Sequence, residues 1–197
     1  MAPPPFVASA AALLSQQRTF VRRLGEAAAA ASPRGNSTLL RLYTERCPMV
    51  GASVGQHLRH SLAHYERLLD AAETKEPYVY VRYDDRARGG DFERCLVAAE
   101  AALARAEGRL LRIDDGREAD AVVPVFLLSA GGEEFASAST LGREVAFVAH
   151  HAIHHNAMVR VICGTHPELS EAALSLLPPY FGSAPSTTAA AVSVSAD

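Results

Sequence analysis

The sequence predicts an all-α fold: a four-helix bundle with a small β-hairpin or irregular insertion between the third and fourth helices. Three observations predict it. Four segments carry apolar residues at helical spacing, Pro- and Gly-rich breaks separate them, and the period changes in a single stretch, from Leu110 to about Ala138. With 197 residues, 49% of them hydrophobic and 21% charged, the chain suffices for one well-filled core. The expected domain covers residues 1–187, and the small, polar residues 188–197 are expected to be disordered.

The first helix is expected over roughly residues 8–30, behind a Pro-rich leader, because Leu13, Leu14, Phe20 and Leu24 recur at helical spacing. Arg18, Arg22 and Arg23 precede the first acid, Glu26, a pattern shared with organelle transit segments. An organelle is therefore the alternative to a cytoplasmic location. A turn at SPRGNS follows, then a short helix from Leu39 to Cys47 that ends before Pro48. Ser53 is placed to cap the second long helix, which sets Val54, Leu58, Leu62, Tyr65 and Leu69 on one face.

The segment PYVYVRYDDRARGGD alternates aromatic and β-branched residues but ends in a charged, Gly-rich loop, so it reads as an extended connection. From Asp91, Phe92, Cys95, Leu96, Ala99, Leu103 and Ala106 mark a third helix, with Gly108 as its stop. The inserted segment contains AVVPVFLLS, in which Pro124 should hold one strand at a sheet edge. Ser139 or Thr140 can cap the fourth helix, which is expected to stop at Gly164.

Composition narrows function. A formal net charge of −3 supplies no basic field for a phosphate backbone, so nucleic acid is not an expected partner. No run approaches the roughly 18–20 apolar residues of a membrane span, so no membrane is expected either. Cys47, Cys95 and Cys163 are odd in number and form no CxxC, which argues against disulfides and a thiolate zinc site and for a reducing compartment.

The chemistry lies in the histidines. Of eight, seven fall in two helical windows: His57, His60 and His64 in the second long helix, and His150, His151, His154 and His155 in the fourth. Residues four apart on a helix lie nearly over one another, so His150/His154 and His151/His155 can each offer two imidazoles to one ion. Leu141, Val145, Val148, Ala152, Val159 and Cys163 define the apolar stripe of the fourth helix. The wheel sets His151 and His155 beside that stripe and turns His150 and His154 away from it. A single buried His is most often a hydrogen-bonded core residue. A pair at this spacing, facing a second cluster, favours a divalent transition metal such as Zn, Ni or Fe. Spacing alone leaves the third ligand open among His57, His60 and His64, with His57 and His64 slightly nearer the apolar stripe. Three protein ligands would leave room for water or substrate, as catalytic sites do, and the remaining histidines would orient ligands or carry protons.

Four ordered motifs, SVGQHLRHSLAHY, VRYDDRAR, STLGREVAFVAHHAIHHNAM and FGSAPST, resemble those of the DinB/YfiT-like family of four-helix metalloproteins. They span residues 53–187. The resemblance implies an up-down-down-up bundle whose metal is held by His60, His151 and His155, with His57 and His64 as supporting groups. It also implies a transferase, with a low-molecular-weight thiol among the candidate substrates, or a hydrolase on a small polar substrate. It points to a homodimer too, as does the apolar helix face that bundles of this length leave uncovered. Nothing in the chain matches the larger catalytic domain of the sulfoxide synthases in which related domains occur. The charged loop at Tyr83, Asp84, Arg86 and Arg88 is the candidate substrate-binding element, since an Arg fork can clamp a carboxylate. The alternative is a solvated loop tied by its own ion pairs. The competing function is a non-catalytic metal-binding or dimeric interaction protein.

Overall fold

The computed structural model describes residues 2–31, 38–74, 79–85, 90–117, 120–127 and 131–186. The fold is mainly helical and carries a small sheet, most of it in the expected insertion between Leu110 and Leu141, where β2 and β3 pair antiparallel. The helices are α1 (Pro5–Ala31), α2 (Thr38–Thr44), α3 (Val54–Glu73), α4 (Leu96–Leu110), α5 (Leu141–Thr165) and α6 (Ser170–Ser175). The strands are β1 (Tyr80–Arg82), β2 (Ala121–Leu127), β3 (Glu134–Ala136) and β4 (Ser139–Thr140).

Helix α1 begins earlier than the apolar spacing suggested, because Pro5 occupies the first helical position, where a missing N–H costs nothing. Its buried stripe, Val7 to Leu24, packs against α4 and α5. Arg18 pairs with Glu107 at 3.1 Å while Gly25 faces Leu96, so α1 and α4 run antiparallel. Tyr65 donates to the Ala10 carbonyl and Gln17 meets Ser61, which sets α3 antiparallel to α1. Arg109 reaches back to Asp70 and Glu73, while the α3 start lies against Glu93, so α3 and α4 run parallel. His57 faces His155 and His64 faces Phe147, making α3 and α5 antiparallel.

A buried amide ties three of these helices together. Gln17 Nε2 donates to Ser61 Oγ at 2.9 Å and to Asn156 Oδ1 at 2.8 Å, and all three side chains are almost fully buried. Hydrogen bonds in that setting are directional, so they fix the relative register of α1, α3 and α5 where apolar packing alone would tolerate sliding. Ser61 and Asn156 are sequence neighbours of His60 and His155, so this anchor fixes the register of the same turns of α3 and α5 that carry those histidines.

Ser53 caps α3 through a complete capping box: its Oγ accepts from the Gln56 N–H, and the Gln56 side chain accepts from the Ser53 N–H. Ser53→Ala is expected to cost about 1 kcal/mol, read as a drop in melting temperature of about 2–4 °C. Thr140 caps α5 through its side chain alone, accepting from the Arg143 N–H at 3.3 Å.

Several expectations need correcting. Tyr80–Arg82, read as an extended connection, is a strand that pairs in parallel with β2, Tyr80 opposite Val123 and Arg82 opposite Val125. Pro124 does not lie at an edge: β2 is central, with β1 on one side and both β3 and β4 antiparallel on the other. Proline is tolerated there because the Val123 N–H points to β1. Alternation then aims the missing donor of Pro124 at the gap between the β3 and β4 pairings, where no acceptor needs it. The third helix starts at Leu96; Asp91–Glu93 form a separate 3-10 turn, and extended Cys95 breaks the two apart. Gly108 lies inside α4 rather than ending it. Helix α6 had no signal strong enough to anticipate it.

Nearly all the buried apolar residues of the described chain form one cluster. Phe181 completes it, fully buried with its ring 5.6 Å from that of Phe20. Cys163 behaves as a small core residue, and burial pushes its thiol up to about 12. No helix among the described residues is long and apolar enough to cross a membrane. The expected C-terminal tail, 188–197, lies outside the described residues.

Candidate metal centre

Helices α3 and α5 cross antiparallel with their histidines facing. On α5, Val145, Val148, Ala152 and Val159 are buried, His155 is 8% exposed and His151 is half-buried, while His150 and His154 are exposed. The helical phase read from the apolar stripe is thus the phase the helix adopts. On α3, His64 is 6% exposed, and His57 and His60 are half-buried.

Potential ligand atoms of His60, His64 and His151 all lie within 4.8 Å of one another, close enough to hold a metal ion. The His64 ring centre is 4.0 Å from that of His151 and 4.7 Å from that of His60. His155 adjoins the same group, 4.4 Å from His60 and 4.5 Å from His151 between ring centres. Its Nδ1 meets His57 Nδ1 at 2.9 Å, so one of that pair carries the proton the other accepts. His57 therefore stands behind His155. The grouping differs from the expected set of His60, His151 and His155 with His64 in support, because His64 turns inward onto His151 while His155 reaches back to His57.

One hydrogen bond settles a tautomer. His64 Nδ1 lies 3.1 Å from the His60 backbone oxygen, which can only accept, so Nδ1 carries the proton and the lone pair resides on Nε2. Metal-binding imidazoles are arranged in this way, the second nitrogen donating to a carbonyl or carboxylate that fixes the ring. The two imidazoles that adjoin the group resist protonation. Burial, then the neighbouring His60, His151, His57 and His154, push His155 down to about 2, and burial followed by His154 lowers His57.

A pH dependence follows for the metal-free protein. The unfolded chain takes up a proton at His155 near the ordinary value of 6.5, which the folded chain refuses until far lower pH. Stability is therefore undiminished above 6.5 and falls steadily as pH drops below it. Thermal melts of chelator-treated protein should show a lower midpoint at pH 5 than at pH 8, and His155→Gln should flatten that difference.

An aromatic wall closes one flank. Tyr83 stacks on His64 with ring centres 5.2 Å apart and planes 15° from parallel, and packs on Phe126 and Phe147 at 5.4 and 5.1 Å. Phe147 also approaches His151 at 6.0 Å. The Tyr83 hydroxyl donates to Glu144 Oε2 at 2.7 Å; Glu144, fully buried, accepts on Oε1 from Ser139 Oγ at 2.6 Å and from Arg143 at 2.5 Å. Burial, then the Glu144 carboxylate, push the Tyr83 phenol up, so it stays a donor.

Of the four candidate substrate-binding residues, Tyr83 is almost wholly buried against the histidines, and exposed Asp84 accepts from the Leu127 N–H at the end of β2. Arg86 and Arg88 lie outside the described residues. From its place in the first turn of α5, Glu144 reads as an acid suited to the helix dipole and to structural ion pairs with the neighbouring loop; the structure makes it a buried anchor. The available signal was spacing, since Glu144, Phe147, His151 and His155 follow one another along the inward face of α5. Comparison of the chain with models of protein families, with curated proteins and with solved structures finds no match.

Proposed function

We propose that the chain is a metal-dependent enzyme of the DinB/YfiT-like kind, a transferase or hydrolase acting on a small polar substrate, with His60, His64 and His151 as the ligands. The observation that carries this reading is the convergence of three imidazoles within 4.8 Å, one of them with its lone pair fixed on Nε2. Support for the family comes from the helix directions: α3 and α4 oppose α1, and α5 opposes α3, the up-down-down-up order of a four-helix bundle built from α1, α3, α4 and α5. A divalent ion held by neutral imidazoles keeps its charge and lowers the pKa of a thiol or water bound beside it. His155 and His57 stand next to that position, joined to each other through their Nδ1 atoms.

Zn, Ni and Fe all suit three imidazoles. A low-molecular-weight thiol is the substrate class to try first. Calorimetric titration of metal-loaded protein with a small thiol should show binding coupled to proton release, seen as heat that varies with buffer ionisation enthalpy. The matching methyl thioether, which has no proton to lose, should not show it. Stoichiometric metal with no response to thiols or carboxylates would favour the non-catalytic alternative. The proposed homodimer is tested separately by light scattering.

A further inference from the structure

We propose that Tyr83 and Glu144 are positioning residues for the metal centre: Glu144 tethers the Tyr83 hydroxyl, and the Tyr83 ring, stacked on His64, holds that imidazole in its ligating plane. The proposal rests on the metal reading given above. Three features of the arrangement carry it. First, a carboxylate at 0% exposure is costly to bury, and apolar residues of similar volume would fill the same space without that penalty. Glu144 is nevertheless placed there with three hydrogen-bond donors, and the one on its Oε2 is Tyr83. Second, Tyr83 is delivered from outside the α3–α5 pair, at the end of β1, and the parallel pairing of β1 with β2 fixes where its ring arrives. Third, the ring lies nearly parallel to His64, 15° between planes, rather than edge-on. Flat stacking restrains rotation of an imidazole about its Cβ–Cγ bond, adding to the restraint that the hydrogen bond from Nδ1 to the His60 carbonyl supplies.

The chain of contacts runs from the first turn of α5 to a residue of α3, through a strand belonging to neither. It therefore couples the helix crossing to the ligand plane. A purely structural pair would support the fold and leave the metal indifferent.

The test uses the full chain, stripped of metal and titrated with Co2+, whose visible bands report ligand number and symmetry. Tyr83→Phe keeps the stack and removes the tether; Glu144→Gln keeps the volume and removes the charge. Each is expected to weaken Co2+ binding by about 10-fold and to alter the band positions and intensities. The double variant should bind no more weakly than Tyr83→Phe alone, because that substitution removes the donor of the contact that Glu144→Gln only weakens. Variants that melt at lower temperature yet bind Co2+ with wild-type affinity and spectrum would overturn the proposal and leave the metal centre standing. Losses that add in the double variant would overturn it as well. A wild-type chain that binds no Co2+ would remove the metal reading itself, and this inference with it. Should Tyr83→Phe fail to fold, Glu144→Gln carries the same comparison alone.

Discussion

Replacing His60, His64 or His151 by Ala is expected to abolish stoichiometric metal binding, each weakening affinity by more than about 100-fold, the upper range for losing a mere supporting group. The reason is coordination number: three neutral imidazoles already form a minimal site, and two do not hold a divalent ion against water. His150→Ala and His154→Ala should leave the metal content intact, since both side chains are exposed and neither belongs to the converging group, His154 lying at its rim with its ring 5.1 Å from that of His155. His155→Ala is the discriminating member of the set. With His64 as ligand and His155 as neighbour, its loss should weaken binding by about 10-fold without abolishing it. Elemental analysis of the folded, purified variants measures all of these. Retention of metal by His64→Ala together with its loss from His155→Ala would restore the ligand set of His60, His151 and His155 implied by the family motifs.

Gly182→Ala is expected to be the most destabilising small substitution in the chain. Gly182 has φ +73°, which L side chains rarely adopt, and a Cβ there would lie 2.6 and 2.7 Å from the backbone N and Cα of Ala157. Those atoms belong to α5 and cannot move aside as a flexible side chain would. Strain from the left-handed backbone and from overpacking together should cost about 2–5 kcal/mol, or roughly 5–15 °C in melting temperature for a chain of this size. The consequence reaches function, because the turn presses on α5 at Asn156–Ala157, beside the buried Gln17–Asn156 bond and one residue from His155. Differential scanning calorimetry with and without added metal measures the cost. A midpoint within 2 °C of wild type would mean that the 181–183 turn does not sit against α5 as described.

How much of this was legible in the sequence depends on how local the determining physics is. Helix α5 was readable almost to its side-chain phase, because its apolar stripe and its histidines share one segment and the 3.6-residue period alone separates His151 and His155 from His150 and His154. The cap of α3 was readable for the same reason. The choice among His57, His60 and His64 was not, since all three share a flank of α3, and which of them meets His151 depends on how far the two helices slide past each other. That offset is set by Gln17, Ser61 and Asn156, on three different helices. Strand β1 escaped notice because three residues of alternating pattern are too few, and its partner β2 lies about forty residues on. Tyr83 and Glu144 were each recognised as candidates for other roles. Their contact, across 61 positions of sequence, exists only once that parallel pairing forms.

The most direct measurement of the central claim is the position of the ion itself, by anomalous diffraction from crystals of the metal-loaded chain. One strong site is expected, bounded by α3 and α5, with the ion about 2.0–2.1 Å from a ring nitrogen of His60, His64 and His151, and with His64 bound through Nε2 while its Nδ1 still donates to the His60 carbonyl. An ion bound through His57 and His155 without His64, an ion on exposed His150 or His154, or a loaded crystal with no site between the two helices would contradict it.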